Sequence, residues 1–288
     1  MAQQQDSSTD TPVWFITGCS TGFGRELARA VLDRGYRVVV TARTPDAVRD
    51  IAEGHGDRAL VLQLDVTDPA EVDAAARAAD AAFGRIDVLV NNAGIGYFGA
   101  IEESEDVEVR RMFEVNVFGL AKVTQAVLPG MRQRRSGHIV NISSVGGIRA
   151  FPAVGFYNAT KFAVVGLSEA LALEVAPLGI KVTVVEPSGF RTDWAGRSAN
   201  EAPNEIADYA ETAGANRRTI RGYSGSQPGD PVRAADAIVK AVESPNPPLH
   251  LLLGKAALKG GRYKLDLLRS NFDAWEETTV GADFPEGQ

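Results

Sequence analysis

The chain alternates short apolar runs with longer amphipathic stretches, and this order constrains its fold more than any other feature. The apolar runs are rich in β-branched residues and have the length of buried strands, while the stretches between them have helical spacing. The predicted strands cover residues 13–17, 37–41, 59–63, 88–91, 138–142, 181–186 and 249–253. Strand and helix in repeated alternation predict an α/β fold, a doubly wound seven-stranded parallel sheet with helices on both faces.

Predicted helices lie between the strands, and one long segment has neither helical nor strand periodicity. The predicted helices cover residues 22–34, 46–53, 69–83, 106–134, 155–176, 231–243 and 255–271. Pro69 and Pro231 stand at first-turn positions, where proline is tolerated. Residues 188–230 have no clear period and are longer than a passive connection, so we expect a substrate lid there. We further expect a disordered polar tail over residues 1–11, one domain over 12–288, and a C-terminal extension from about residue 254 to 288.

Composition narrows the class of partner. The net charge of −7 disfavours nucleic acid and anionic membrane surfaces as partners and favours a small molecule. The single cysteine, Cys19, excludes an internal disulfide framework and fits a cytoplasmic protein. The polar first residues lack the features of a secretory signal, and no apolar run is long enough to cross a bilayer.

A glycine-rich sequence, Thr17-Gly-Cys-Ser-Thr-Gly-Phe-Gly24, joins the first predicted strand to the first predicted helix. Glycine permits a tight turn and a close approach of a diphosphate to the backbone, and the helix N-terminus adds free N–H groups. The alternative is a glycine-rich turn without a ligand. No Gly-Lys-Ser/Thr follows, which disfavours a nucleoside triphosphatase. The predicted dinucleotide contacts are Gly18, Ser20, Thr21, Gly22, Phe23 and Gly24.

Arg43 follows the second predicted strand, where an acidic residue would bind a ribose 2′-hydroxyl. After this strand, the first acidic residue is Asp46. A guanidinium at this place can bind a 2′-phosphate, so we predict that NADP(H) is preferred over NAD(H). In the alternative, Arg43 stacks on adenine and both cofactors are used.

Tyr157 and Lys161 are four residues apart in a predicted helix, which places them on one face. A fixed cation lowers the pKa of a neighbouring phenol, so Tyr157 is a candidate general acid/base. The same spacing also occurs by chance on amphipathic helices.

Six ordered motifs together resemble the short-chain dehydrogenase/reductase family, in its compact single-domain form. The motifs are the sequences 17–24, Asn91-Asn-Ala-Gly94, Asn-Val-Phe-Gly around Asn116, Ile-Ser-Ser-Val-Gly-Gly around Ser144, the Tyr157 and Lys161 pair, and 187–192. The resemblance covers residues 13–253 and implies a Rossmann-type fold. Within the family, residues 19–24 are similar to branches that act on steroids, retinoids and bulky ketones.

The resemblance implies four catalytic residues. Tyr157 would donate a proton to the substrate carbonyl oxygen, and Lys161 would lower the pKa of Tyr157 while binding the nicotinamide ribose. Ser144 would hold the carbonyl, although a serine after a strand is ordinarily a turn or cap residue. Asn116 would bind a water that relays protons to Lys161, and it can also bond to neighbouring backbone.

The resemblance also implies further cofactor contacts. Asp65 and Val66 would reach the adenine; the remaining contacts would be Asn92, Ala93, Gly94, Pro187, Gly189 and Thr192. Ser188 departs from the usual Pro-Gly of the family and would be strained if it had to adopt a glycine-like conformation.

A hydrophobic ketone or alcohol is the predicted substrate, because apolar and aromatic residues follow Ser144 and occur in the lid. The candidate substrate residues are Ser144, Ile148, Phe151, Val154, Phe190 and Trp194, with Tyr209 or Tyr223 as further possibilities. Most of these side chains could equally belong to the core.

The predicted function is NADPH-dependent carbonyl reduction without a metal, since His55, His138 and His250 lack ligand spacing. A homodimer or homotetramer is expected from the resemblance of the helices at 106–134 and 155–176 to the family's dimer surfaces. Two alternatives remain open: a redox sensor that binds the dinucleotide without turnover, and a relative with epimerase or dehydratase activity.

Overall fold

The computed structural model describes residues 11–196 and 198–284. The expected disordered tail therefore lies outside the described residues except for Thr11, whose carbonyl accepts a hydrogen bond from Arg37 Nε (3.0 Å). The last four residues of the expected C-terminal extension are also outside them.

Nine strands and ten α-helices follow one another along the described residues. The strands are β1 (Val13–Ile16), β2 (Arg37–Ala42), β3 (Ala59–Gln63), β4 (Val88–Asn91), β5 (Gly96–Phe98), β6 (Gly137–Ile142), β7 (Ile180–Pro187), β8 (Ala199–Glu201) and β9 (His250–Leu253). The α-helices are α1 (Gly22–Asp33), α2 (Arg49–Ala52), α3 (Pro69–Phe83), α4 (Asp106–Phe113), α5 (Leu120–Arg134), α6 (Gly155–Val175), α7 (Ala215–Gly222), α8 (Pro231–Glu243), α9 (Lys255–Ala274) and α10 (Glu276–Val280).

Seven of the strands form one parallel sheet in the order β3-β2-β1-β4-β6-β7-β9. The order reverses direction between β1 and β4, and ligands of such sheets bind beyond the carboxyl ends of the strands at this point. The predicted α/β, doubly wound, seven-stranded fold is confirmed, with every predicted strand boundary within one residue of the observed one.

Hydrophobic layers on both faces of the sheet explain why the strands are apolar throughout. On one face, α1 and α8 pack against β1 and β2 through Leu27, Val31 and Ile238. On the other face, α3 and α5 pack against Phe15 and Leu89. Because both faces are covered, the strands read as continuous apolar runs instead of alternating ones.

Two helix starts follow from their sequences. Asp68 caps α3 by accepting a hydrogen bond from Ala70 N (2.8 Å), and Asp230 caps α8 through Val232 N (2.9 Å). Pro69 and Pro231 occupy the first turns, as predicted.

The predicted helix at 106–134 is interrupted by a π-helix at Glu114–Gly119, between α4 and α5. Gly119 lies against the loop after β3, where an added Cβ would stand 2.7 Å from Val66 Cγ2. The predicted helix at 46–53 is also divided, into a 3₁₀-helix at Pro45–Val48 and α2. Wide turns of the π type occur often at functional sites, and this one carries Asn116.

Residues 188–230 contain short elements that the sequence did not reveal. Strand β8 pairs in parallel with β5, in register Gly96↔Ala199, and α7 packs nearby. Arg221 Nη1 donates to the carbonyls of Ala195 (2.9 Å) and Gly196 (2.8 Å). The small sheet thus binds the segment to the body, and the Arg221 guanidinium connects parts of the segment with one another, although the segment lacks a sequence period.

No helix in the described part of the chain is both long enough and apolar enough to cross a bilayer.

Candidate active site

A cleft of about 1280 Å³ opens beyond the carboxyl ends of β1, β4, β6 and β7. Its walls come from the loops after these strands, from residues 188–230 and from the first turns of α9. The cleft extends from Arg43 to Tyr157, so the residues predicted for the dinucleotide and for catalysis share one space.

The glycine-rich turn forms one end of this cleft. Gly18 and Gly22 have φ values of 71° and 61°, in the left-handed region that favours glycine. A Cβ on Gly24 would lie 2.4 Å from Asn92 Nδ2. Asn92 Nδ2 donates to Thr17 O and Gly18 O (both 2.9 Å), which fixes the turn against the end of β4.

The N-terminus of α1 points its free donors into the same end. Thr21 occupies the N-cap position but its side chain makes no capping hydrogen bond, and the first turn contains no acidic residue. Uncapped N–H groups with the positive end of the helix dipole suit a phosphate group. The turn and helix therefore fit a dinucleotide diphosphate.

Arg43 is exposed directly after β2 and lines the cleft. Within the described residues it makes no ion pair or hydrogen bond. The next carboxylate, Asp46, pairs with Arg49 (2.5 Å) and does not occupy the place of a ribose-binding acid.

Asp65 and Val66 follow β3 and line the cleft as predicted for an adenine contact. Asp65 Oδ1 accepts hydrogen bonds from Thr67 N (2.9 Å) and Thr67 Oγ1 (2.7 Å), so the side chain is held in place.

Tyr157 lies in the first turn of α6 and is 8% exposed. Burial raises the pKa of its phenol above the ordinary value, and a hydrogen bond with Ser144 offsets part of this rise. The more acidic phenol expected from the sequence is therefore not found in this structure, because desolvation of the phenolate dominates.

Ser144 follows β6 and faces the same space. Its Oγ accepts a hydrogen bond from Gly146 N (3.0 Å) and caps a short 3₁₀-helix, Val145–Gly147. The capping role and the carbonyl-binding role are compatible, because the cap uses Ser144 Oγ only as an acceptor and makes no use of the hydroxyl proton.

Lys161 is 6% exposed, and its Nζ donates to Ile142 O (2.8 Å). The Nζ atom lies 5.7 Å from the centre of the Tyr157 ring. Burial lowers the pKa of Lys161 from 10.5 to about 8. Lys161 therefore carries its charge at neutral pH and loses it in mildly alkaline solution.

Asn116 holds the loop after β4 beside Lys161. Its Oδ1 accepts from Ile95 N (2.8 Å), and its Nδ2 donates to Ile95 O (2.9 Å) and Thr160 Oγ1 (3.1 Å). A Cβ on Gly94 would stand 3.3 Å from Asn116 Oδ1 and 3.7 Å from Lys161 Nζ. The predicted bonding of Asn116 to backbone is thus present.

Aromatic side chains form part of the cleft wall, from Tyr157 to the glycine-rich turn. The ring of Trp194 lies 4.8 Å from that of Tyr157 and 5.5 Å from that of Phe98, measured between centroids. Phe190 contacts Phe23 of the glycine-rich turn (5.1 Å). Phenol and indole thus share one apolar corner of the cleft.

The loop after β7 adopts an ordinary conformation at Ser188. Among the described non-glycine residues only Arg135 and Ala153 have positive φ, so Ser188 carries none of the strain considered from the sequence. Its backbone N–H donates to Leu253 O (3.0 Å). The serine is accommodated without cost to the backbone.

Most residues predicted for the site line the cleft. They are Gly18, Ser20, Thr21, Gly22, Phe23, Arg43, Asp65, Val66, Asn92, Ala93, Gly94, Ser144, Phe151, Val154, Tyr157, Lys161, Pro187, Gly189, Phe190, Thr192 and Trp194. Gly24, Asn116 and Ile148 do not line it, and of the two further tyrosines Tyr223 does and Tyr209 does not.

Sequence reasoning missed several polar residues of the cleft. These are Arg111, Arg149, Asn158, Asn200, Asn216 and Lys259. Asn158 follows Tyr157 directly and Arg149 follows Ser144 by five residues, so proximity to the motifs was the available signal. Lys259 had no such signal, because α9 reaches the cleft only through the fold. Across the described residues, no group of three His, Cys, Asp or Glu side chains is placed to hold a metal ion.

Comparison with known proteins agrees with this geometry. The family model described as short chain dehydrogenase matches residues 12–203. A 3-ketodihydrosphingosine reductase from Bacteroides thetaiotaomicron is 40% identical over 240 residues, which are 83% of this chain and 86% of that protein.

Two solved structures extend the likeness to nearly the whole chain. A short-chain dehydrogenase from Streptomyces avermitilis has 45% identity and a TM-score of 0.89, covering 96% of this chain and 100% of its own. A short chain dehydrogenase/reductase from Burkholderia phymatum in complex with NAD has 28% identity and a TM-score of 0.78, covering 98% and 99%. The resemblance found in the sequence is confirmed: the chain belongs to the short-chain dehydrogenase/reductase family of oxidoreductases.

Proposed function

We propose that this protein is an NADPH-dependent carbonyl reductase that interconverts a hydrophobic ketone and its secondary alcohol. The main support is that one cleft contains both parts of the site. Ser144, Tyr157 and Lys161 line it at one end, and the uncapped helix N-terminus after the glycine-rich turn lies at the other. A proton donor, a carbonyl-binding hydroxyl and a dinucleotide cradle are the parts that such a reduction needs.

The cofactor contacts follow from the lining of the cleft. The turn at 18–24 would hold the diphosphate, Asp65 and Val66 the adenine, and Pro187, Gly189 and Thr192 the nicotinamide. When bound, the nicotinamide supplies a hydride to the carbonyl carbon.

The protein's own groups manage the oxygen. Ser144 Oγ donates a hydrogen bond to the carbonyl oxygen and orients it. As negative charge develops there, Tyr157 transfers its phenolic proton to the oxygen, which yields the alcohol. The raised pKa of Tyr157 keeps this proton in place before the reaction, and the ammonium of Lys161 stabilises the phenolate that remains.

Two alternatives use the same cradle. A redox sensor would bind the dinucleotide without turnover, and an epimerase or dehydratase would release a product at the same oxidation level as its substrate. The intact Ser144, Tyr157 and Lys161 favour turnover over sensing. Net consumption of NADPH separates the second group from a reductase.

The Tyr157→Phe variant tests the proposal. Against a panel of aryl, steroid and aliphatic ketones, we expect kcat to fall by about 10²–10⁴-fold because the proton donor is lost. NADPH affinity, measured by calorimetry, should stay within a few-fold. Tyr209→Phe is the matched control, since Tyr209 lies outside the cleft and should leave kcat unchanged. Full activity of Tyr157→Phe on every ketone reduced would refute the mechanism.

The cofactor preference is tested at Arg43. Because hydrogen bonds to a charged group are worth about 1.5–3 kcal/mol, Arg43→Leu should raise KM for NADPH about 10- to 100-fold and leave KM for NADH nearly constant. Arg77→Leu is the control, as Arg77 is an exposed arginine of α3 outside the cleft. A wild-type enzyme that uses NADH several-fold better than NADPH would contradict the assignment.

Three broader features belong to the same proposal. Residues 188–230 act as a lid, supported by the contact of Trp194 with Tyr157. The protein forms a homodimer or homotetramer and works in the cytoplasm, the latter supported by its single, buried cysteine. Limited proteolysis with and without cofactor tests the lid, because closure should protect peptide bonds within it.

A further inference from the structure

The substrate side of the cleft contains two cations that the proposed chemistry does not use. Five basic residues line the cleft, namely Arg43, Arg111, Arg149, Lys161 and Lys259, against two acidic ones, Asp65 and Asp193. This excess of positive charge occurs in a chain whose net charge is −7. The cleft therefore has the opposite sign from the molecule as a whole.

Three of the five cations already have a partner or a role. Arg43 and Lys161 serve the cofactor in the proposed function. Arg111 Nη1 donates to Glu108 Oε2 (3.0 Å), so its charge is compensated within α4. Arg149 and Lys259 remain, and within the described residues neither side chain forms an ion pair or a hydrogen bond.

Arg149 is held in place by aromatic rings. Its guanidinium lies 5.3 Å from the ring centre of Phe151 and 4.4 Å from that of Tyr263. Such contacts stabilise a cation but satisfy none of the five N–H donors of the guanidinium. The Arg149 side chain is thus held in place and partly buried, while its guanidinium N–H groups are free to donate hydrogen bonds to a ligand.

Lys259 belongs to the same wall. It lies one helical turn before Tyr263 on α9, so the two side chains share a helix face. A Cβ on Gly260 would stand 3.1 Å from Val145 Cγ2, which shows how closely α9 approaches the turn after Ser144. Both cations therefore border the part of the cleft next to the carbonyl-binding serine.

We propose that the substrate is a ketone with an anionic group, and that Arg149 and Lys259 bind this group while the apolar part lies against Trp194. The inference rests on the proposed function and specifies its substrate class. Carboxylate and phosphate share the chemistry that would be recognised: several oxygen acceptors and a negative charge, which a guanidinium matches in two-pronged geometry.

The test compares ketones that differ only in charge. The probes are an aryl ketone carrying a carboxylate, its phosphonate analogue and its neutral methyl ester. For the wild-type enzyme, we expect kcat/KM to be at least about 10-fold higher for the preferred anionic probe, carboxylate or phosphonate, than for the methyl ester. The ranking of carboxylate and phosphonate identifies the preferred anion. Sodium chloride at high concentration should reduce the difference by screening.

Substitution of the two cations localises the effect. Arg149→Gln and Lys259→Gln should each lower kcat/KM for the acid about 10-fold, mainly through KM, and leave the ester unaffected. Arg149→Lys should retain part of the preference for the acid over the ester. This conservative variant therefore distinguishes loss of the anion contact from a folding defect. Lys240→Gln on α8 removes the same charge outside the cleft and should change neither substrate.

Binding separates this inference from the proposed function. Calorimetry of the acid and the ester against protein saturated with NADP⁺ requires no turnover. Tighter binding of the acid that disappears in Arg149→Gln supports the anion site even if no ketone is reduced, whereas absence of turnover alone would refute only the reductase. Equal affinity for acid and ester, or an acid preference unchanged in both glutamine variants, would overturn the inference.

Discussion

Burial acts on Tyr157 and Lys161 in opposite directions and favours the uncharged form of each. The pKa of the phenol rises and the pKa of the ammonium falls to about 8. The proposed reduction starts from a protonated tyrosine and a charged lysine, and both forms coexist at neutral pH. The pair is therefore suited to proton donation before any ligand adjusts it.

Lys161 makes the stability of the protein depend on pH in a defined window. The folded state releases this proton near pH 8, and the unfolded state near pH 10.5. Between these values the unfolded state binds more protons, so stability rises with pH. Wild-type protein should gain stability relative to Lys161→Met between pH 8 and 10.5, with a constant difference below that window. Urea unfolding at pH 7, 8, 9 and 10 measures the difference, and a relative loss with rising pH would contradict the assignment.

At this scale, residues in local motifs were predictable and residues assembled by the fold were not. Tyr157 and Lys161 could be found because one helical turn relates them, and Ser144 because it follows a strand. Their protonation could not be predicted, since it depends on burial by residues such as Trp194. Helices α6, α7 and α8 lie between Arg149 and Lys259 in sequence, and the two residues line one cleft only because of how α9 packs in the fold.

Among the elements, the glycine-rich turn shows how a local conformation and a long-range contact combine. Gly18 has φ of 71°, and a Cβ there would stand 2.9 Å from Ala93 Cα. Gly35 has φ of 84° and open space around it. The two glycines thus share a backbone conformation and differ in what surrounds them.

This pair predicts two different outcomes of one substitution. Gly35→Ala should cost about 1–2 kcal/mol of unfolding free energy, the strain of the left-handed conformation. Gly18→Ala should cost more, because backbone atoms after β4 must move, and it should abolish NADPH binding. Urea unfolding and calorimetry measure both quantities. Equal losses of stability with intact NADPH binding would show that the contact with Ala93 is unimportant.

The predictability of elements followed their length. The seven strands of the large sheet could be recognised as continuous apolar runs, and α3, α6 and α8 have enough residues to show a helical period, so their predicted bounds were close to those observed. Strands β5 and β8 have three residues each, too few for any period, and their pairing depends on contacts such as Gly96 with Ala199. The π-helix was hidden because its apolar residues continue the α-helical pattern on both sides.

For the whole molecule, the exposed apolar side chains of α6 indicate where a second copy would bind. Phe162 and Leu173 are 40% and 80% exposed, and Gly166 lies between them on the same face with no atom within 4 Å of an added Cβ. Phe118, at the π-helix beside α6, is 50% exposed. A helix with a small residue between large apolar ones can pack closely against a symmetric partner.

Sedimentation velocity tests this surface. We expect a mass of at least twice 30.7 kDa for the wild type and dissociation to monomers for Leu173→Glu, because a carboxylate would be buried in the interface. Leu265→Glu on α9 is the matched control, since Leu265 is 63% exposed on a different helix. If only Leu265→Glu dissociates, the interface lies on α9 and not on α6. If the wild type is monomeric, the expected oligomer does not form.

The contact between Trp194 and Tyr157 has a practical consequence. The three tryptophans have separate environments: Trp14 is 1% exposed in the core, Trp275 is 65% exposed after α9, and Trp194 lines the cleft. Acrylamide quenches the emission of an exposed indole and spares a buried one. A ligand that enters beside Tyr157 changes only the Trp194 component, so the protein carries its own optical sensor for substrates that it binds without converting.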